Sequence, residues 1–177
     1  INYGETIEVV IMNVPCSQAT VTDASGNSYN TVQIKGQCWM KSNLRTTKYP
    51  NGANIATCDV NDKYFYKHVG SSSNDAAMGL YYSWEAAMNG APGNYNQPVQ
   101  GICPDGWHIP TKDEFLTLLA VAGSVDNLKG NNNYWTSANG NNTNSTGFTL
   151  NPSGYAGYSC SSSAQSVGTV AELLTAS

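Results

Sequence analysis

The residues best suited to chemistry lie in one run, Cys103-Pro104-Asp105-Gly106-Trp107-His108-Ile109-Pro110-Thr111-Lys112-Asp113-Glu114-Phe115. A thiol and an imidazole this close in sequence could form a nucleophilic pair, in which the imidazole takes the thiol proton and the thiolate attacks an electrophile. That chemistry needs the two groups within hydrogen-bond reach, which neighbours in sequence do not supply by themselves. The same run reads more simply as a structural hinge. Pro104-Asp105-Gly106 is a turn, since Pro presets φ and Gly permits positive φ. Thr111 and Glu114 have the spacing of a capping box, with Pro110 placed to staple onto Phe115. Phe115, Leu118, Leu119 and Ala122 then follow on one helical face, and Gly123 ends the run. The hinge reading outweighs the catalytic one.

Little else in the chain promises catalysis. His68 and His108 are the two histidines. His68 reads as a solvated loop residue in Lys67-His68-Val69-Gly70. There is no Gly-x-Ser-x-Gly elbow, phosphate-binding loop or His-Glu-x-x-His, and the carboxylates are scattered. The expectation is a protein without enzymatic activity, metal site or cofactor. Recognition chemistry is better represented. Asn131, Asn132, Asn133, Tyr134 and Trp135, followed by Asn139, Asn141, Asn142 and Asn144, place amides beside aromatic rings, with Tyr155 and Tyr158 as extensions. Rings supply contact area and amides supply donors and acceptors for a polar ligand such as a glycan or peptide. The competing reading is a solvated Asn/Gly loop with Trp135 in the core.

Composition narrows the class. The 177 residues suffice for one domain with a real core. Charged residues are 11% of the chain and the net charge is −4. With Arg45 the lone arginine, there is no basic surface for nucleic acid or anionic lipid. No apolar run approaches the ~20 residues that span a bilayer. The five cysteines, none in a Cys-x-x-Cys pair, point to an oxidising compartment rather than a zinc site. An odd count leaves one thiol buried or paired outside the chain. The start at Ile1, without Met or signal peptide, reads as a mature or excised fragment.

The elements that would position these residues follow from pattern. Residues 6–14 are rich in β-branched residues and read as a strand. Residues 20–40 read as a hairpin turning at Ala24-Ser25-Gly26-Asn27, with a further short run Gln37–Met40. Residues 45–77 and 89–101 are loop-rich. Residues 80–88 pass from strand to helical turn, the capped helix covers 111–122, and residues 124–129 hold one more turn. Phe148–Leu150 and Val167–Leu174 read as short strands. The class is α+β, with short, mostly antiparallel strands, one or two helices and long irregular loops.

Five segments carry a resemblance in fixed order: Asp23-x-x-Gly26-x-x-Tyr29, Gly36-Gln37-Cys38-Trp39-Met40-x-x-Asn43-Leu44, Gly79-Leu80-Tyr81-Tyr82-x-Trp84-x-Ala86-Ala87-Met88, Cys103-Pro104-x-Gly106-Trp107-His108-Ile109-Pro110-Thr111, and Gly147-Phe148-x-Leu150-x-Pro152-x-Gly154-Tyr155. Over residues 16–177 the chain resembles the Fibrobacter-type major paralogous (FISUMP) domain, a bacterial extracellular module. The resemblance implies a C-type-lectin-like fold, a place at the bacterial cell surface and no catalytic residues. Calcium-dependent sugar sites of such lectins use Glu-Pro-Asn or Gln-Pro-Asp. Here Asn96-Gln97-Pro98-Val99 lacks the carboxylate, and Asp59-Val60-Asn61-Asp62 lacks the glycine and closing Glu of a calcium loop.

Set beside the family, the chain departs at its end, where the usual closing strand and its cysteine are missing. The resemblance therefore implies Cys16–Cys38 as one bridge and Cys58–Cys160 as a second, with Cys103 left over. It also implies an open sheet edge, and unpaired edges recruit strands. Residues 1–15 lie outside the matched domain. Their segment Thr6–Val14 is expected to fill that edge in its own chain or in a neighbouring copy. Two functions follow: an adhesion or ligand-recognition module for a glycan or cell-surface partner, or a filament or pilus subunit joined to copies of itself through Thr6–Val14.

Overall fold

The computed structural model describes residues 5–6, 16, 20–58, 65–68, 75–93, 97–136, 141–156 and 163–176. In chain order the elements are β1 (Glu5–Thr6), β2 (Thr20–Thr22), β3 (Ser28–Ile34), β4 (Gln37–Met40), β5 (Ala56–Thr57), β6 (Phe65–His68), α1 (Asp75–Met78), β7 (Leu80–Tyr82), α2 (Trp84–Met88), α3 (Lys112–Ala122), a 3₁₀ turn (Val125–Asn127), β8 (Tyr155–Ala156) and β9 (Ala164–Gln165). Among the described residues these strands form three small sheets, ordered β1-β7-β6-β5, β2-β3-β4 and β8-β9. All pairs are antiparallel except β5 with β6. The α+β class expected from the sequence holds.

The strand β4 divides the interior. Lys35 and Gly36, both at positive φ, join β3 to β4 in the two-residue turn whose twist matches a hairpin. All four residues of β4 are buried. Strand alternation sends Cys38 and Met40 into a core with Tyr29, Leu44, Leu80, Tyr82, Met88 and Ile109. Trp39 goes the other way, into a core with Leu118, Leu128, Trp135 and Phe148, where it meets Phe148 edge-on at 5.6 Å. A disulfide from Cys16 to Cys38 ties the start of the domain to this partition. Cys58 is also in a disulfide, and Cys160, the partner expected for it, lies outside the described residues. Cys103 is free and buried, the cysteine that the resemblance left over.

The capped helix forms as its residues dictate. The Thr111 side chain accepts from the Glu114 backbone N–H and the Glu114 side chain accepts from that of Thr111, while Gly123 closes the helix in the left-handed conformation. Three expectations need correction, and a fourth, the loop-rich stretch 45–77, gains detail. Val167–Leu174 is not a strand: Ser166 and Gly168 have positive φ and turn the chain, leaving Ala171 in an isolated parallel bridge to Gly154. Phe148–Leu150 is interrupted by Thr149 at φ 67°, and Leu150 alone bridges to Lys129. The loop-rich stretch 45–77 contains β5 and β6, too short to show a period. His68 is not a solvated loop residue but the last residue of β6, with Nδ1 2.9 Å from the Asp75 carboxylate. Of Thr6–Val14, only Thr6 is described. It and Glu5 pair with Tyr81 and Tyr82 of their own chain, at the outer edge of the sheet.

Candidate functional site

The Cys103–Phe115 run is a hinge in three dimensions as well. Cys103 is fully buried, and burial pushes its thiol well above the ordinary value, the opposite of an activated thiolate. His108 presents Nε2 to Glu114, 3.1 Å away. Burial alone pushes the Glu114 carboxyl up, but the hydrogen bonds from His108 and from the Thr111 backbone and hydroxyl outweigh it and hold the carboxyl below its usual range. The imidazole thus locks the cap of α3.

The sign of that shift fixes a pH dependence. A carboxyl lowered in the folded state contributes stability above its unfolded value of about 4.3 and loses it as pH falls through the lower folded value. Glu114→Gln keeps the reach of a capping box and removes the charge. It is expected to lower stability at pH 7 by about 1 kcal/mol, the difference between a charged and a neutral hydrogen bond. Urea midpoints of the two proteins should differ at pH 7 and converge as pH falls through the lowered folded value. A gap of constant size across that range would assign the effect to packing instead.

Residues 131–136 form a second candidate, anchored from below. Trp135 is 8% exposed. It donates its indole N–H to the Leu150 carbonyl at 2.9 Å, and the Lys129 ammonium lies over the ring. The Asn132 amide donates to Asn151 Oδ1 at 2.8 Å while its own Oδ1 accepts from the Tyr134 backbone N–H. The Thr136 N–H donates to the Gly168 carbonyl, which brings the turn bearing the exposed Val167 alongside. With its base fixed, the loop presents Asn131, Asn133 and the Tyr134 ring outward, the ring 45% exposed.

The sequence grouped these residues by type and could not say which way each one faces. Trp135 and Asn132 turn inward, because the indole fills the core beneath and the amide closes the loop. Asn142 also departs from the expectation of a surface ligand group, since its Oδ1 is buried and lacks a partner among the described residues. Asn144 is committed to Thr149 through both ends of its amide. Tyr155 is half-buried in β8, paired with Gln165. Asn139 and Tyr158 lie outside the described residues.

A third surface joins segments that no single motif connects. A polar groove of about 420 Å³ opens between β2, Pro50 and the turn at Ile102–Asp105. A second depression of about 430 Å³ adjoins it across Pro50 and is lined by Asn51, Asn89 and Gln100 among others. The Gln100 amide donates to Asp105 Oδ1 at 3.0 Å and to the Cys103 carbonyl, fixing the carboxylate on the rim. Pro104 is legible in the sequence as a turn, but nothing local to it says that it converges with Pro50. Among the described residues, no group of three or more His, Cys, Asp or Glu side chains is placed to hold a metal ion. No described helix is long and apolar enough to cross a membrane.

No curated protein and no solved structure matches the chain. The sequence profile of the Fibrobacter succinogenes major domain, however, matches residues 32–175, from within β3 to the closing segment. The chain belongs to the Fibrobacter succinogenes major domain family.

Proposed function

We propose that this protein is a non-enzymatic recognition module of the bacterial cell surface, C-type-lectin-like in architecture, that binds a polar ligand such as a glycan. The observation that carries this reading is the anchored presentation of Tyr134. A large, stiff ring flanked by the exposed amides of Asn131 and Asn133 sits on a loop whose base is already hydrogen-bonded. Preordering of that kind lowers the entropy a ligand must overcome. The disulfides support an oxidising, extracellular setting. The pairing of both histidines with carboxylates and the burial of the free thiol support a role without catalysis. The ladder between Glu5–Thr6 and its own chain's β7 supports the single module over strand exchange between copies.

Tyr134→Ala is expected to weaken binding to an immobilised oligosaccharide panel by about tenfold or more, as loss of an aromatic anchor does. Its urea midpoint should stay near wild type, because the ring is largely exposed. Asn132→Ala should reduce both binding and stability, since it frees the loop. Retention of full binding by Tyr134→Ala against every oligosaccharide retained by the wild type would remove the proposal.

A further inference from the structure

The groove beside β2 has the form of a docking site for a strand. β2 lies at the end of its sheet and is hydrogen-bonded to β3 alone among the described residues. No described residue pairs with the N–H and C=O groups of its far edge, and an edge of that kind is the natural template for a further strand. The groove is lined by Thr20, Val21 and Thr22 in succession. Side chains alternate across a strand, so a cavity on one face would touch only every second residue. Contact with three residues in a row means that the cavity lies along the edge itself.

The opposite wall supplies shape and charge. Ile102 and the rings of Pro50 and Pro104 offer apolar sides, and the lining includes the carboxylates of Asp23 and Asp105, with no Lys, Arg or His among the described residues. Asp23 is spent on internal hydrogen bonds. Asp105 is exposed and held in place by Gln100. On the other side of Pro50, which lines both, lies the depression lined by Asn51, Asn89 and Gln100. Two cavities side by side suit an extended chain more than a compact ligand, and the exposed carboxylate suits a cation.

We infer that β2 accepts an extended peptide segment as an added antiparallel or parallel strand, with a Lys or Arg side chain of that segment set against Asp105. Main-chain hydrogen bonds to the β2 edge supply the affinity, and the carboxylate selects among sequences. The site is separate from the Tyr134 loop and does not depend on what that loop binds.

The test uses the full 177-residue chain, isotope-labelled, and three capped pentapeptides. These are Thr-Val-Lys-Val-Thr, the same sequence with Glu at the centre, and the Lys peptide N-methylated at alternate residues. Titration of the Lys peptide should shift the backbone amides of Thr20–Thr22 and Asp105. N-methylation removes donors from one edge and is expected to weaken binding about tenfold, the loss of about two hydrogen bonds. Asp105→Asn, an exposed change, should weaken the Lys peptide about three- to fivefold and leave the Glu peptide no weaker. Three outcomes would overturn the inference. One is the absence of shifts at β2 with the Lys peptide at millimolar concentration. Another is equal binding of the N-methylated peptide, which would reduce the contact to charge alone. The third is occupation of the groove by maltotriose where the Lys peptide does not bind.

Discussion

Gly101→Ala is expected to cost at least about 4 kcal/mol, enough to leave a domain of this size barely folded. Gly101 has φ +56°, and a Cβ built on it would lie 2.1 Å from the Ala87 carbonyl oxygen and 2.6 Å from Ile109 Cδ1. Neither neighbour can retreat cheaply. The Ala87 oxygen accepts the Ile102 N–H at 3.0 Å at the end of the buried helix α2, and Ile109 is fully buried and bridged to Val99. Overpacking a site of this kind forces backbone shifts rather than side-chain adjustment. Gly106→Ala is the matched control. Gly106 also has positive φ, at +81°, but nothing lies within 4 Å of the added carbon. It should therefore cost about 1–2 kcal/mol, the left-handed penalty alone. Urea denaturation of both variants measures the difference. Equal midpoints would mean that α2 and the 99–110 turn are not packed as closely as described.

Asp23→Ala is the second large effect, expected at roughly 3–5 kcal/mol. The Asp23 carboxylate is 6% exposed and closes the turn between β2 and β3. Its Oδ1 accepts the backbone N–H groups of Ser25 and Asn27, at 2.8 and 3.0 Å, and its Oδ2 accepts from the Asn27 amide at 2.9 Å and from the Tyr29 hydroxyl. The Tyr29 oxygen in turn accepts the Arg45 backbone N–H, and the Arg45 guanidinium lies 4.9 Å above the ring. Burial first, and then the Asp23 charge and hydrogen bond, push the Tyr29 hydroxyl far above its ordinary value, so it stays a donor at any usable pH. Truncating Asp23 strands the buried Tyr29 hydroxyl and three half-buried donors at once, and each lost partner costs up to about 1–3 kcal/mol before relaxation. Asp23→Asn keeps the volume but turns an NH₂ toward donors, so most of the loss should persist. An Asp23→Asn variant as stable as wild type would show that shape, not charge, holds this turn.

Both predictions rest on residues that the sequence flagged only by type. Asp23-x-x-Gly26-x-x-Tyr29 was visible as a spacing, and its turn was placed at residues 24–27 because Gly and Asn tolerate positive φ. That the aspartate is a buried hub follows from Tyr29 folding back onto it and from Arg45, sixteen residues beyond Tyr29, completing the contact. Likewise the Asn-rich stretch announced a polar loop near Tyr134 and Trp135. The direction of each side chain depended on Leu150, Asn151 and Gly168, which come from elsewhere in the chain.

The sequence by itself determined what short-range chemistry decides. It placed the capped helix from Thr111 to Gly123, the hairpin with its added strand Gln37–Met40, the strand-to-helix passage at 80–88, the family and the leftover cysteine. Each depends on hydrogen bonds and steric preferences within a few residues, or on segments kept in order. Tertiary structure alone decided that β4 is a wall between two cores, that His108 serves Glu114, that Ser166 and Gly168 break an apparent strand, and that β2 faces Pro104 and Asp105 across a groove. The wall and the groove come from contacts between residues tens of positions apart, and even the six-residue span from His108 to Glu114 depends on burial and on partners that no local pattern encodes.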